Sequence, residues 1–326
     1  MSDLGRVLVL AGGLSHERDV SLRSGRRVSE ALRAVGVDVE ERDADAGLIP
    51  ALQDDPPSAV FPLLHGSAGE DGALREVLDL LDVPYVGASP VACRLAFDKP
   101  VAKTIVAAAG LRTPKSVVLP HETFRELGAQ TVLGRIVERL GLPLVVKPTR
   151  GGSALGCNVV RTVPELPAAM VNCFAYGEVS LLEQHVSGTE VSVAVVDVGD
   201  GPRALPAVEI VPDSGFYDYA ARYNAGATEF VAPARLSDAA AAVCADVALA
   251  AHQALGLRDL SRTDLIVDRD GVPWFLEVNV APGMTETSLV PLAVESAGLD
   301  LGIVCRDLLH GAAHRAEAER AERGGR

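Results

Sequence analysis

An apolar run ending in glycines, RVLVLAGG, opens the chain; RSGRRVSEALRAVG follows, with Val28, Leu32 and Val35 at helical spacing, and then VDVEERDA. Strand, helix and strand in close succession leave few options besides a βαβ unit. A second apolar run, AVFPLLHG (59–66), precedes ALREVLDLLD, in which Leu74, Val77, Leu78 and Leu81 share one helical face. The first ~90 residues therefore read as a doubly wound α/β layer whose ligand-facing loops lie at the strand ends.

At 326 residues the chain outgrows one compact core, so two or three domains sharing a cleft are expected. Residues 98–110 read as a short helix and 115–119 as a strand; a helical stretch to about Leu140 leads to the strand PLVVKP (143–148) and at once to the glycine-rich TRGGSALG. From 179 onward β-rich runs dominate. The segment 213–235, DSGFYDYAARYNAGATEFVAPAR, has little periodicity and many polar and aromatic residues, which marks a functional loop rather than a connection. A helix capped by Ser237 is expected over roughly 238–256, and strands 262–269 and 273–280 flank the hairpin DRDGVP. The tail AAHRAEAERAERGGR reads as a fraying helix end.

Charge narrows the partners. Lys and Arg total 30 against 44 Asp and Glu, a formal charge of −14, which repels a phosphate backbone and most membrane surfaces. Nucleic acid and membrane are thereby disfavoured. A polyanionic ligand would have to be met by a few placed cations and a metal. The five cysteines are scattered, with no C-x-x-C pair, and read as reduced thiols. No positively charged start leads into an apolar signal core and no run of eighteen apolar residues occurs, so a cytoplasmic protein is expected.

Against that background FLEVNVAPGMTETSL (275–289) stands out. Strand alternation turns Glu277 and Asn279 to one face, and Asp264 lies on the preceding strand of the hairpin. Three oxygen donors of this kind suit Mg²⁺ shared with substrate phosphates; a solvated hairpin face is the other reading. KPTRGGSALG sets Lys147 at a strand end before a loop of Gly151, Gly152, Ser153 and Gly156 whose amides could wrap a phosphate. The lysine precedes the glycines, so this is not a Walker loop. Lys99 in FDKPVAK is a second cation, Glu17 sits in a strand-end loop suited to an ammonium, and His65 ends another strand. The G-x-G-x-x-G of dinucleotide folds is absent.

In order along residues 6 to 310, the segments GGLSHERDVSLRSG, HGSAGEDG, FDKPVAK, VVKPTRGGSALG, FYDYAARY, RTDLIVD and LEVNVAPGMTETSL resemble the D-alanine–D-alanine ligase family of the ATP-grasp superfamily. The resemblance implies an α/β and α+β protein with the ATP-grasp fold and an N-terminal Rossmann-like domain. Its parts would be an N-terminal domain (1–94), a central ATP-grasp subdomain (95–178), a C-terminal subdomain with the metal site (179–312) and a charged tail (313–326). ATP would phosphorylate the carboxylate of a first D-alanine, and the amine of a second would displace phosphate, yielding a dipeptide for peptidoglycan synthesis.

Carried onto this sequence, the resemblance makes Asp264, Glu277 and Asn279 the ligands of two Mg²⁺ ions, with Glu277 bridging and Mn²⁺ able to substitute. Lys99 and Lys147 would meet the phosphates under the loop 150–156; Glu183 would face the adenine amino group beside the Val186 backbone, and Glu190 the ribose. Phe216, Arg222 and Leu276 complete the nucleotide site. Glu17 would bind the ammonium of the first amino acid, and Ser288 with the Leu289 backbone the carboxylate of the second. Arg262 and the Gly283 amide would form an oxyanion hole, and His65 would help deprotonate the attacking amine. Tyr223, on the mobile segment 213–235, would bond to Ser153 and Glu190 across the closed site and favour an amine nucleophile. A homodimer is implied. Gly151, Ala154, Ser67, Ala68, Ala220 and Arg222 depart from the family pattern, which keeps open a paralogue joining other amino acids, such as D-alanine to D-serine.

Overall fold

The computed structural model describes residues 4–324 apart from 219, 220, 223 and 225. Tyr223, expected to close the site, lies outside the described residues. The N-terminal layer is a parallel sheet of order β2-β1-β3, formed by β1 (Val7–Ala11), β2 (Val39–Asp43) and β3 (Val60–Pro62). Every residue of β1 is buried, which is why its sequence is apolar throughout instead of alternating. Between β1 and β2 runs α1 (Arg18–Ala34), which buries Val28 and Leu32 and, on the same side, Ser21 and Ser24. The helices α2 (Leu48–Asp54), α3 (Ser67–Glu70) and α4 (Ala73–Leu80) complete the layer.

Two capped helices follow, α5 (Pro90–Phe97) and α6 (Lys99–Ala108). The side chains of Ser89 and Asp98 accept from Ala92 N and Val101 N, each at 3.3 Å, so Asp98 ends one helix and starts the next. The central sheet, order β4-β7-β5-β6, contains β4 (Ser116–Pro120), β5 (Leu144–Pro148), β6 (Asn158–Val160) and β7 (Val179–Gln184). Gly128, at φ 85°, splits the expected single helix into α7 (His121–Leu127) and α8 (Ala129–Leu140). β6 and α9 (Leu166–Phe174) were not marked out by periodicity.

The large sheet has the order β11-β10-β8-β12-β13, with β9 (Arg203–Ala204) on the flank of β8. Its strands are β8 (Gly188–Val196), β10 (Val208–Pro212), β11 (Thr228–Val231), β12 (Leu260–Asp268) and β13 (Pro273–Asn279). β11 falls inside 213–235, so that segment is only in part a loop. Ser237 caps α10 (Asp238–Ala254), accepting from Ala240 N at 3.3 Å. α11 (Leu289–Ser296) and α12 (Leu301–Gly324) close the chain. The tail expected to fray is instead a docked continuation of α12: Arg315 grips Asp259 at 2.8 and 2.7 Å, and Arg320 donates to the Asp82 carbonyl at 2.6 Å.

One hydrophobic core runs from the N-terminal sheet (Val7, Val9) through α1 (Val28, Leu32) to β10 (Val208, Ile210) and α12 (Leu308, Leu309). A second joins α5 and α6 to the large sheet. First and last parts of the chain are thus packed as one frame, with the glycine-rich loop of the central unit facing it. All five cysteines are free thiols. Among the described residues no helix is long and apolar enough to cross a membrane.

Candidate active site

Two adjoining cavities, of about 510 and 340 Å³, share a wall made by Lys99, Gly151, Gly152, Tyr217, Arg222 and Glu277. Lys147, Glu183, Val186, Glu190, Phe216, Asp264 and Leu276 line the first. Glu17, His65, Ser153, Arg262, Asn279, Gly283 and Ser288 line the second. Every candidate residue within the described part of the chain therefore lines one or both.

The first cavity is built around a buried charge cluster. β5 and β7 pair antiparallel, and Lys147 Nζ lies 2.6 Å from Glu183, which is 2% exposed. Lys103 of α6 holds the other carboxylate oxygen. Burial opposes the charge on Glu183, but the two lysines outweigh it and hold the carboxyl below its usual range. Lys103 escaped the sequence reading; its signal was the spacing of four from Lys99, which places both on one side of α6. Glu183, expected to face the adenine amino group, orients both lysines here, and its oxygens keep further lone pairs toward the cavity it lines. Lys99 Nζ donates to the Gly151 carbonyl at 2.7 Å and sits 3.3 Å from Glu277. It ties the glycine-rich loop to β13. The Arg222 guanidinium stacks 4.2 Å from the Tyr217 ring centroid, and its Nε is buried with no partner among the described residues. That orphan donor suits an anionic ligand. Glu190 is pushed up to about 7 by burial, against the pull of Arg222.

On the hairpin, Asp264 lies directly opposite Glu277, and Arg262 opposite Asn279. Arg262 grips Asp264 with Nε at 2.9 Å and Nη2 at 2.7 Å, and Ser192 Oγ donates to the same carboxylate at 2.8 Å. Two residues apart on one strand, Arg262 and Asp264 share a face, which makes the grip possible. Burial raises the cost of charging Glu277, yet Lys99, Lys147, Arg222 and Arg262 override it and hold the carboxyl at about 2. Asn279 Oδ1 accepts from Ala281 N at 2.8 Å, fixing the amide. Among the described residues no group of three or more His, Cys, Asp or Glu is placed to hold a metal. The donor set here is two facing carboxylates and one amide oxygen, all hard oxygens. That chemistry fits a divalent ion which takes its remaining ligands from phosphates and water.

In the second cavity, Ser21 anchors the loop after β1, accepting from Gly12 N at 2.8 Å and donating to the Leu63 carbonyl at 2.7 Å. The loop so held presents Glu17, which accepts from Ser153 Oγ. Ser153 was expected to bond to Tyr223, which lies outside the described residues; its hydroxyl donates to Glu17. Gly66 has φ 72°, and a Cβ there would lie 3.0 Å from Glu17 Oε2, so a side chain would crowd the carboxylate. Glu70, also missed in the sequence although it stands in HGSAGEDG, accepts from Gly66 N at 3.0 Å. Burial, with Glu17 nearby, pushes its carboxyl up to about 7.

Ser288 sits at the N-cap of α11 but makes no capping bond; its Oγ accepts from Thr285 N at 2.9 Å. The first-turn amides of Leu289 and Val290 are left available, a ready site for a carboxylate. A Cβ on Gly283 would fall 2.8 Å from Ser288 Oγ, so glycine is what lets that peptide and the hydroxyl lie together. His65 is 5% exposed, and its Nδ1 lies 2.9 Å from the Ala281 carbonyl.

The class defined by this fold and these cavities has known members. A family model described as D-ala D-ala ligase C-terminus matches residues 105–310. A D-alanine–D-alanine ligase of Bordetella petrii is 40% identical over 310 residues, 95% of this chain and 93% of that protein. One from Anaeromyxobacter sp. is likewise 40% identical, covering 95% and 98%. Among solved structures, VanG D-Ala:D-Ser ligase from Enterococcus faecalis superposes with a TM-score of 0.81 at 28% identity, covering 95% of this chain and 99% of that one. D-alanine–D-alanine ligase from Bacillus anthracis complexed with ATP gives 0.79 at 26%, covering 97% and 99%. The fold is that of the ATP-grasp ligases. The chain belongs to the D-alanine–D-alanine ligase family.

Proposed function

We propose that this protein is an ATP-dependent ligase that joins two D-alanines into the dipeptide used in peptidoglycan synthesis. The observation that carries the reading is the shared wall: Lys99, Arg222 and Glu277 face both cavities, so a phosphate held in one meets a carboxylate held in the other. The relatives at 40% identity over 95% of the chain support the same activity.

In this reading the nucleotide lies in the larger cavity, with Lys99, Lys147 and the orphan Arg222 Nε toward its phosphates and Val186, Glu190, Phe216 and Leu276 around the nucleoside. Glu17 takes the ammonium of the first D-alanine. A carboxylate oxygen of that substrate accepts the γ-phosphoryl group, and ADP leaves. The second D-alanine is held through its carboxylate by Ser288 and the first turn of α11. Its amine attacks the acyl carbon, the C–O bond to phosphate breaks, and phosphate departs. Arg262 and the Gly283 amide meet the oxyanion that exists only during this attack. Asp264, Glu277 and Asn279 would hold Mg²⁺, which supplies neutralisation of phosphate charge. Enclosure by the loop 150–156 and the segment carrying Tyr223 keeps water from the acyl phosphate. Assembly as domains 1–94, 95–178 and 179–312, a homodimer and a cytoplasmic location belong to the same proposal.

The test is a screen of D- and L-amino acid pairs with ATP and Mg²⁺, read by product mass. D-alanyl-D-alanine should be the main product. A main product of D-alanyl-D-serine would move the assignment toward the activity named for the Enterococcus faecalis relative, and no dipeptide from any pair would refute a ligase.

A further inference from the structure

Ser24 is wholly buried on α1, far in sequence from the loop after β13, yet its Oγ accepts a hydrogen bond from Met284 N at 3.0 Å. The same oxygen lies 3.4 Å from His65 Nε2, while His65 Nδ1 lies 2.9 Å from the Ala281 carbonyl. Four groups thus form one chain: Ala281 C=O, the imidazole, the Ser24 hydroxyl and the Met284 peptide N–H. Its two ends decide its direction. A carbonyl can only accept, so Nδ1 carries a hydrogen; a peptide N–H can only donate, so Ser24 Oγ accepts there. Burial pushes His65 toward its neutral form, with Arg262 acting in the same sense against Glu17 and the Ala281 carbonyl. In the neutral ring Nε2 is then a bare lone pair, and the hydroxyl hydrogen of Ser24 is the donor it faces.

We propose that Ser24 is a positioning residue for the ligation step: it holds the His65 ring as the Nδ1–H tautomer, and it anchors the Met284 peptide and so the adjoining Gly283 amide. This rests on the ligase reading above and deepens it. The attacking amine of the second amino acid must shed a proton, and His65 and Gly283 both line the cavity that would hold it. Ser24 Oγ lies along the one lone pair of Nε2 and the Ala281 carbonyl takes the Nδ1 hydrogen, so the ring acts by position, as a fixed wall beside the amine, rather than by taking its proton. The contact at 3.4 Å is long, as catalytic hydrogen bonds often are before substrate binds. Ser21, the buried serine one turn earlier on α1, spends its hydroxyl on Gly12 and Leu63.

The test uses the full chain labelled with ¹⁵N-histidine, its His65 signals assigned by their loss in His65→Gln, together with steady-state kinetics of wild type and Ser24→Ala. The expected result is a wild-type His65 protonated at Nδ1 and bare at Nε2 at neutral pH, and a mixture of tautomers in Ser24→Ala. In the variant kcat should fall by about tenfold or more while the KM for ATP moves by less than about twofold, because the lost order lies at the amine and oxyanion rather than the nucleotide. A wild-type ring protonated at Nε2 would overturn the proposal without any variant. So would an unaltered kcat in Ser24→Ala, or a rise in the ATP KM that matches the fall in kcat. Correct tautomers in a wild-type protein that joins no amino acids would count against the ligase reading and leave the hydrogen-bond network standing.

Discussion

In the proposed reaction Arg262 has two duties, and replacing it with alanine separates them. As an oxyanion donor it acts only while negative charge sits on the tetrahedral oxygen; losing one such donor costs ~10²–10³ in kcat, about 2.7–4 kcal/mol. As the partner of Asp264 it acts at all times. Arg262→Ala strips that carboxylate, 5% exposed, of donors at 2.9 and 2.7 Å and leaves it the Ser192 hydroxyl at 2.8 Å. Breaking a buried pair from one side costs about 3–5 kcal/mol. At about 2.1 cal/mol/K per residue, 326 residues give about 0.7 kcal/mol/K, so Tm should fall by about 4–7 °C. Mg²⁺ with a non-hydrolysable ATP analogue should recover part of that loss, since a divalent ion replaces the missing positive charge beside Asp264. Phosphate release with saturating D-alanine, the KM for ATP, and melting curves with and without Mg²⁺ and the analogue measure all three. A kcat within tenfold of wild type, or an ATP KM that rises by the factor by which kcat falls, would refute the oxyanion role.

Three further substitutions test neighbouring parts of the site. Glu70 ionises at about 7 in the fold, above the unfolded carboxyl, so its protonated form favours the folded state below the unfolded pKa and that stability is lost as pH rises toward 7. Glu70→Gln should therefore melt higher than wild type at pH 8, by a margin worth up to about 3 kcal/mol, and converge with it at pH 4.5; an equal margin at both pH values would contradict this. Lys103→Met leaves Glu183 with Lys147 as its one lysine partner, and both stability and ATP affinity should drop, the former by about 3 kcal/mol; unchanged melting and ATP KM would show the cluster to be idle. In Gly283→Ala the new Cβ, 2.8 Å from Ser288 Oγ, should raise the KM for the second D-alanine by about tenfold while sparing the first, which bisubstrate kinetics can resolve.

Much of the site was legible because its chemistry follows short-range geometry. Glu277 and Asn279 share a face through strand alternation, and the tight hairpin at 269–272 returns their strand beside Asp264, which pairs with Glu277 in register. The parallel N-terminal sheet was legible for a similar reason: strands buried on both faces read as unbroken apolar runs. What stayed hidden depends on contacts distant in sequence. Lys103 comes from a helix, Glu183 from β7 and Lys147 from β5, and nothing local announces that the three meet. Ser24 looks like an ordinary helical serine until Met284 is folded against it. The tail misled because its Ala-rich, charged composition is that of a solvated helix, while Arg315 and Arg320 are long enough to dock it on Asp259 and the Asp82 carbonyl.

Transfer of the carboxylate oxygen tests the central claim most directly. D-alanine carrying ¹⁸O in its carboxyl group is turned over with ATP and Mg²⁺, and the released phosphate is weighed. If the carboxylate is activated by phosphorylation, each dipeptide formed should deliver one ¹⁸O to phosphate. Unlabelled phosphate accompanying dipeptide, or ADP released with no dipeptide at all, would contradict the account.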